Sequence, residues 1–160
     1  MKNIFLGGIC ALIIFILFRS SNISDNTILV RIAGERIQAE LAVTDAAHER
    51  GLSGRVQLKK DEGMLFVFVQ PGIHSFWMKD MNFPIDIIWI NEDAEIVYIK
   101  KDARPESFPE SYGPGEDVPT ESRGSSTVKA VGTKYVLEVV SGFSEENNLR
   151  EGDRVEFIYR

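Results

Sequence analysis

The chain has one cysteine, Cys10, and it lies in the N-terminal apolar run rather than in the part that folds. The folded part therefore has neither a disulfide nor a catalytic thiol, and its core must hold it together. Histidine is scarce too: His48 and His74 are the only two, with no HExxH or CxxC spacing around them. Zinc takes three or four ligands from histidine, cysteine and carboxylates, so no metal site is expected, nor any other cofactor. Basic residues form no block of five or more, and without Lys2 and Arg19 sixteen of them face 24 acidic residues. Phosphate backbones need clustered Lys and Arg, so nucleic acid is not an expected partner. Motifs are missing as well. Gly51-Leu52-Ser53-Gly54 is one residue short of a G-x-S-x-G elbow, no phosphate-cradling glycine loop occurs, and the acidic stretch 91–95 lacks the alternation and glycine of a calcium loop.

What is present begins with residues 4–18, IFLGGICALIIFILF, fifteen residues without a charge between Lys2 and Arg19. A bilayer span takes roughly 17 to 25 apolar residues, so residues 1–19 read as a signal anchor or a signal peptide. Arg19 to Ser24 matches a small-x-small cleavage site poorly, and Lys2 keeps the N-terminus inside, so the uncleaved anchor is favoured. Ile9 is too bulky to precede a lipidated cysteine at Cys10. The expected arrangement is an anchor in the membrane, a polar linker at 20–26, and one β-rich domain at 27–160, outside the cytoplasm in the periplasmic or extracellular space. Cleavage would make the domain secreted.

Residues 28–33 and 37–43 alternate in strand fashion around Gly34-Glu35 and predict a hairpin. Thr44 is placed to cap a short helix from Asp45 to about Gly51. Residues 64–69, MLFVFV, are apolar on both alternating sets and predict a strand buried on both faces. Further strands are predicted at 73–78, 85–90, 95–101, 135–140 and 154–159, with a second short helix at 144–149. Residues 102–127 carry Pro105, Pro109, Pro114 and Pro119 and predict a long loop, with Phe108 and Tyr112 available to pack it on the domain as a lid. The fold class is mainly β (α+β): a compact, barrel-like mixed β domain with two short helices.

The stretch 76–90, FWMKDMNFPIDIIWI, sets Lys79, Asp80 and Asp86 among aromatic and aliphatic residues. On a strand at 85–90, Asp86 shares a face with Ile88 and Ile90. A carboxylate there must be wet at the strand entry, bonded to backbone amides, or paired with a cation such as Lys79, Arg50 or Arg55. Tying the preceding turn to the strand through N–H groups is one reading. The other is a pocket carboxylate walled by Trp77 or Trp89, an arrangement that suits sugar rings.

At this point the residues form a pattern. Arg50-Gly51-Leu52, Arg55, Gly63-Met64-Leu65-Phe66-Val67-Phe68, Phe76-Trp77-Met78-Lys79, Pro84-Ile85-Asp86-Ile87-Ile88, Val136-Leu137-Glu138-Val139, Gly142 and Gly152-Asp153 together resemble the family called domain of unknown function 192. Asp80-Met81 departs from it where Asn-Thr is common, and Ala94 where Gly is usual. The resemblance implies a compact, barrel-like β domain, commonly exported by prokaryotes, and no established reaction. Motif membership and the buried-charge argument make Arg50, Trp77, Lys79 and Asp86 the candidate binding residues. No residue is assigned catalysis. The expected function is that of a tethered, non-enzymatic envelope domain that binds a small polar ligand or an envelope polymer. One alternative is a carbohydrate-active enzyme using Asp86. Another is a structural module, or one that docks an envelope protein through residues 102–127.

Overall fold

The computed structural model describes residues 26–114 and 132–159. The chain opens on the predicted hairpin, β1 (Thr27–Ile32) and β2 (Glu35–Ala42), paired from Thr27 opposite Glu40 to Ile32 opposite Glu35. Its two-residue turn is Ala33-Gly34, both at positive φ, the geometry that matches the twist of the flanking strands. Helix α1 (Asp45–Arg50) follows, with the Thr44 hydroxyl accepting from Ala47 N at 3.2 Å. It carries the chain across to β3 (Glu62–Gly72), which lies parallel to β2.

Two short strands, β4 (Phe76–Trp77) and β7 (Ser111–Tyr112), pair only with each other as a small separate sheet. β5 (Ile85–Ile90), β6 (Ile96–Ala103), β8 (Thr133–Val140) and β9 (Val155–Ile158) complete a seven-stranded sheet in the order β6-β5-β8-β3-β2-β1-β9. The two ends of this sheet meet where their strands begin. Ile96 N donates to Asp153 O at 2.9 Å, Gly152 N to Ile96 O at 2.7 Å, and Val155 N to Ala94 O at 2.9 Å. The sheet is thereby curled into a half-barrel, the predicted fold class.

Strand period separates two cores. Ile28, Val30, Ile32, Ile37, Ala39, Leu65, Ile88, Ile90, Leu137 and Val139 pack inside the curl, closed at one end by Phe143 of α2 (Phe143–Glu146) and by Leu149. Met64, Phe66, Ile87, Trp89 and Val136 point outward and are covered by Leu52, Leu58, Met78, Met81 and Tyr112. This double covering explains the continuous apolar runs of β3 and β5. β3 is buried through Phe66, but Val69 is 86% exposed because pairing with β8 lapses between Val67 and Gly72.

Three expectations are corrected. Residues 73–78 do not form a full strand. Trp89 Nε1 donates to His74 O at 2.7 Å, so the segment crosses the outer face of the sheet instead of extending it. The second helix begins earlier than 144 and runs for four residues after Gly142, which sits in the left-handed region at φ 89. The stretch from 102 is also more ordered than a loop: it holds the end of β6, a 3-10 turn at Pro105–Ser107, and β7, with Tyr112 5% exposed against the outer core. Phe108, by contrast, stays 47% exposed. The sequence features at 1–25 and 115–131 lie outside the described residues. Among the described residues, no helix is long and apolar enough to cross a membrane.

Candidate functional site

Two segments cover the outer face of the sheet, and a cavity opens between them. One runs from α1 through Ser53; the other spans residues 73–81. They are clamped together beside the opening: Ser53 Oγ donates to Lys79 O at 2.8 Å, Gly54 N to Asp80 O at 2.9 Å, and Asn82 Nδ2 to Arg55 O at 2.8 Å. The cavity holds about 370 Å³. Its floor is the sheet itself, through Phe66, Phe68 and Glu138, and Leu52, Phe76, Trp77 and Met81 supply apolar wall. Phe76 meets Phe66 edge-on, with ring centroids 4.8 Å apart, so the aromatic lining is built rigidly.

Glu138 is the unusual member of that floor. Its place on β8 is opposite Met64 of β3 on one side and Ile87 of β5 on the other, both buried. The residue is 4% exposed, and its Oε2 has no hydrogen-bond partner. Burial pushes the carboxyl up from the ordinary 4.5 to about 8, against the pull of the Arg55 charge. Arg55 does not come to its aid. Its guanidinium is committed to Glu40 by two 2.7 Å hydrogen bonds, a pairing that lowers the Glu40 pKa and raises that of Arg55.

Two histidines complete the lining. His48 Nε2 lies 2.9 Å from Ala42 O, and the His74 ring stacks on Phe68 at 3.5 Å between centroids. Burial lowers the His74 pKa and outweighs backbone hydrogen bonds at Gln70 and Thr133 that favour the charged form. Among the described residues, no cluster of three or more His, Cys, Asp or Glu could hold a metal ion.

The four residues singled out in the sequence are not brought together. Arg50, at the end of α1, and Trp77, 49% exposed at the mouth, both line the cavity. Lys79 contributes its backbone oxygen to the clamp, and its side chain is not part of the lining. Asp86 points into the other core and is 1% exposed. Its carboxyl oxygens accept from Asp102 N at 2.9 Å, Gly142 N at 3.3 Å and Ser144 N at 2.8 Å. It therefore caps α2 from a different strand, using the amides that the start of a helix leaves without partners. Of the two sequence readings of Asp86, these contacts favour the tie to backbone N–H groups. Glu138 belongs to the family pattern but not to the four candidates, although a glutamate between Val136 and Val140 on a strand is the same signal that marks Asp86.

The model of the family DUF192, described as an uncharacterized ACR, matches residues 28–157. Among solved structures, the chain is similar to a candidate transcription regulator from Sinorhizobium meliloti 1021. The two share 29% identity at a TM-score of 0.68, over 82% of this chain and 93% of that one. It is also similar to a protein of unknown function from Novosphingobium aromaticivorans DSM 12444, with 28% identity and a TM-score of 0.66, over 81% of this chain and 83% of that one. No curated protein matches.

Proposed function

The chain belongs to the DUF192 family, and we propose that its domain is a non-enzymatic binding module for a small polar ligand, held in the cavity beneath Trp77. The observation that carries this reading is Glu138: a buried carboxyl oxygen without a partner, on the floor of an aromatic-walled cavity. Leaving such a group unpaired costs about 1–3 kcal/mol or more, and a ligand that supplies the missing hydrogen bond recovers that cost. Arg50 and Trp77 belong to the proposed site. Lys79 supports it through the clamp, and Asp86 supports the fold that carries it.

A sugar-cleaving role for Asp86 finds no support in this geometry. Three amides occupy its oxygens, and almost none of it meets solvent. A role in transcription, which the Sinorhizobium meliloti relative's name suggests for that protein, is disfavoured here by a formal net charge of −6. We place the domain outside the cytoplasm, tethered through residues 4–18, on the strength of that uncharged run and the positive charges flanking it. Protease added to spheroplasts, stripped of any outer barrier, should remove the membrane-bound domain and leave a cytoplasmic control protein whole. Survival of the domain there, with the control also whole, would overturn the placement outside the cytoplasm.

Native against denaturing mass spectrometry of the full chain, purified gently from its own host, tests the binding reading. The expected result is extra mass seen only in the native spectrum and lost from Glu138→Gln. A bare native mass, together with Trp77 fluorescence that no small-molecule library perturbs, would overturn it.

A further inference from the structure

We infer that the cavity takes a primary alkylammonium, a free amine or a lysine side chain, with its nitrogen at Glu138 and its stem along Leu52, Phe66, Phe76 and Met81. This deepens the binding reading and rests on it. Four observations converge on the ammonium. The first is that Glu138 is an acid without a cation: the guanidinium of Arg55, whose charge acts on it, is spent on Glu40 through both arms. The second is the wall. Its aromatic rings attract a cation through their negative faces, and its aliphatic and thioether groups suit a methylene stem.

The third is access. A Cβ on Gly51 would stand 3.9 Å from Glu138 Oε2 and 3.4 Å from Phe66 Cζ, so any longer side chain there would crowd the carboxyl that a ligand must reach. The fourth is the choice between donors. A neutral hydroxyl would share a hydrogen bond with the protonated acid and gain nothing further, whereas an ammonium supplies the bond and the opposite charge that lets the buried acid ionise. The elevated Glu138 pKa fits this, because the empty site keeps its proton at neutral pH and a bound ammonium expels it. The other titratable groups of the lining are His48, Glu49, Arg50 and His74. Glu49 and Arg50 are exposed, so solvent and salt screen them.

Isothermal titration of the full chain with n-butylammonium and with n-butanol, at pH 7 in two buffers of different ionisation enthalpy, tests the inference. Butylammonium should bind at least about tenfold tighter than butanol and release about one proton to the buffer. Glu138→Gln should abolish both that preference and the proton release. If the variant does not fold, proton release by the wild-type protein decides alone. Equal binding of amine and alcohol, or amine binding without proton release, overturns the ammonium assignment. Acetyl-Gly-Lys-Gly-amide distinguishes the sources: tighter binding than butylammonium indicates a partner's lysine, and binding of butylammonium alone indicates a free amine. Binding of neither overturns the inference. A ligand retained in the native mass spectrum and lost from Glu138→Gln would then still uphold the binding reading.

Discussion

Glu138 makes the stability of the ligand-free domain depend on pH in a way that one substitution can isolate. Its folded pKa lies near 8 against an ordinary value of 4.5, so between these limits the folded state holds a proton that the unfolded state releases. Its contribution is fully present below pH 4.5 and is lost as pH rises toward 8. The difference in pKa corresponds to roughly 5 kcal/mol, of which about 4 kcal/mol falls between pH 5 and pH 9. His74 acts in the opposite sense. Burial lowers its pKa below 6.5, so its unfolded form takes up a proton first and stability is lost as pH falls below that value. A single curve would mix the two effects. Glu138→Gln keeps His74 and removes the carboxyl, so the difference between variant and wild type belongs to Glu138. Urea unfolding followed by circular dichroism at pH 5, 7 and 9 should show the variant gaining about 4 kcal/mol on the wild type across that range. Parallel curves would refute the reasoning, since a carboxyl whose stability contribution ignores pH is either solvated or paired.

Other substitutions test the frame that holds the cavity. Asp86→Asn puts an amide NH2 where two oxygens accept from Asp102, Gly142 and Ser144, and should cost about 2–3 kcal/mol in urea unfolding while leaving ligand affinity unchanged. Lost affinity in a folded variant would place Asp86 in the site after all. Gly63→Ala should cost about 3 kcal/mol, because its Cβ would come 2.8 Å from the backbone oxygen of Glu138 and 2.9 Å from Ile37 Cγ2. Unchanged stability would mean that β2, β3 and β8 separate easily. Ala94→Gly should raise stability by about 1 kcal/mol in the same assay, since Ala94 turns from β5 into β6 at φ 60, where a Cβ is strained. A loss would show that the turn depends on that methyl group.

The hairpin, α1 and the doubly buried first half of β3 were legible because each rests on local information. Thr44 caps α1 from three residues away, and the alternation of β1 and the apolar run of β3 report how many faces are covered. The short pairing of β4 with β7 was not legible. It joins residues 76–77 to 111–112, and nothing in either dipeptide names the other. The early start of α2 escaped for a similar reason: its cap is supplied by Asp86, 58 positions from Ser144.

The buried-charge argument sharpens when Asp86 and Glu138 are compared. Both are acids placed on strands between apolar neighbours, and period-two reasoning flags each as a group that must find a partner. Sequence cannot tell which of them succeeds, because their partners come from distant turns. Asp86 faces the inner core at the end closed by α2, where three backbone amides converge on its two oxygens. Glu138 faces outward, and the segments covering that side leave an opening above it rather than a donor. Met81, at one of the positions that depart from the family pattern, lines that opening with a thioether. The same physical cost is thus settled inside the fold for one acid and left for a ligand to settle at the other, and that difference carries the functional assignment.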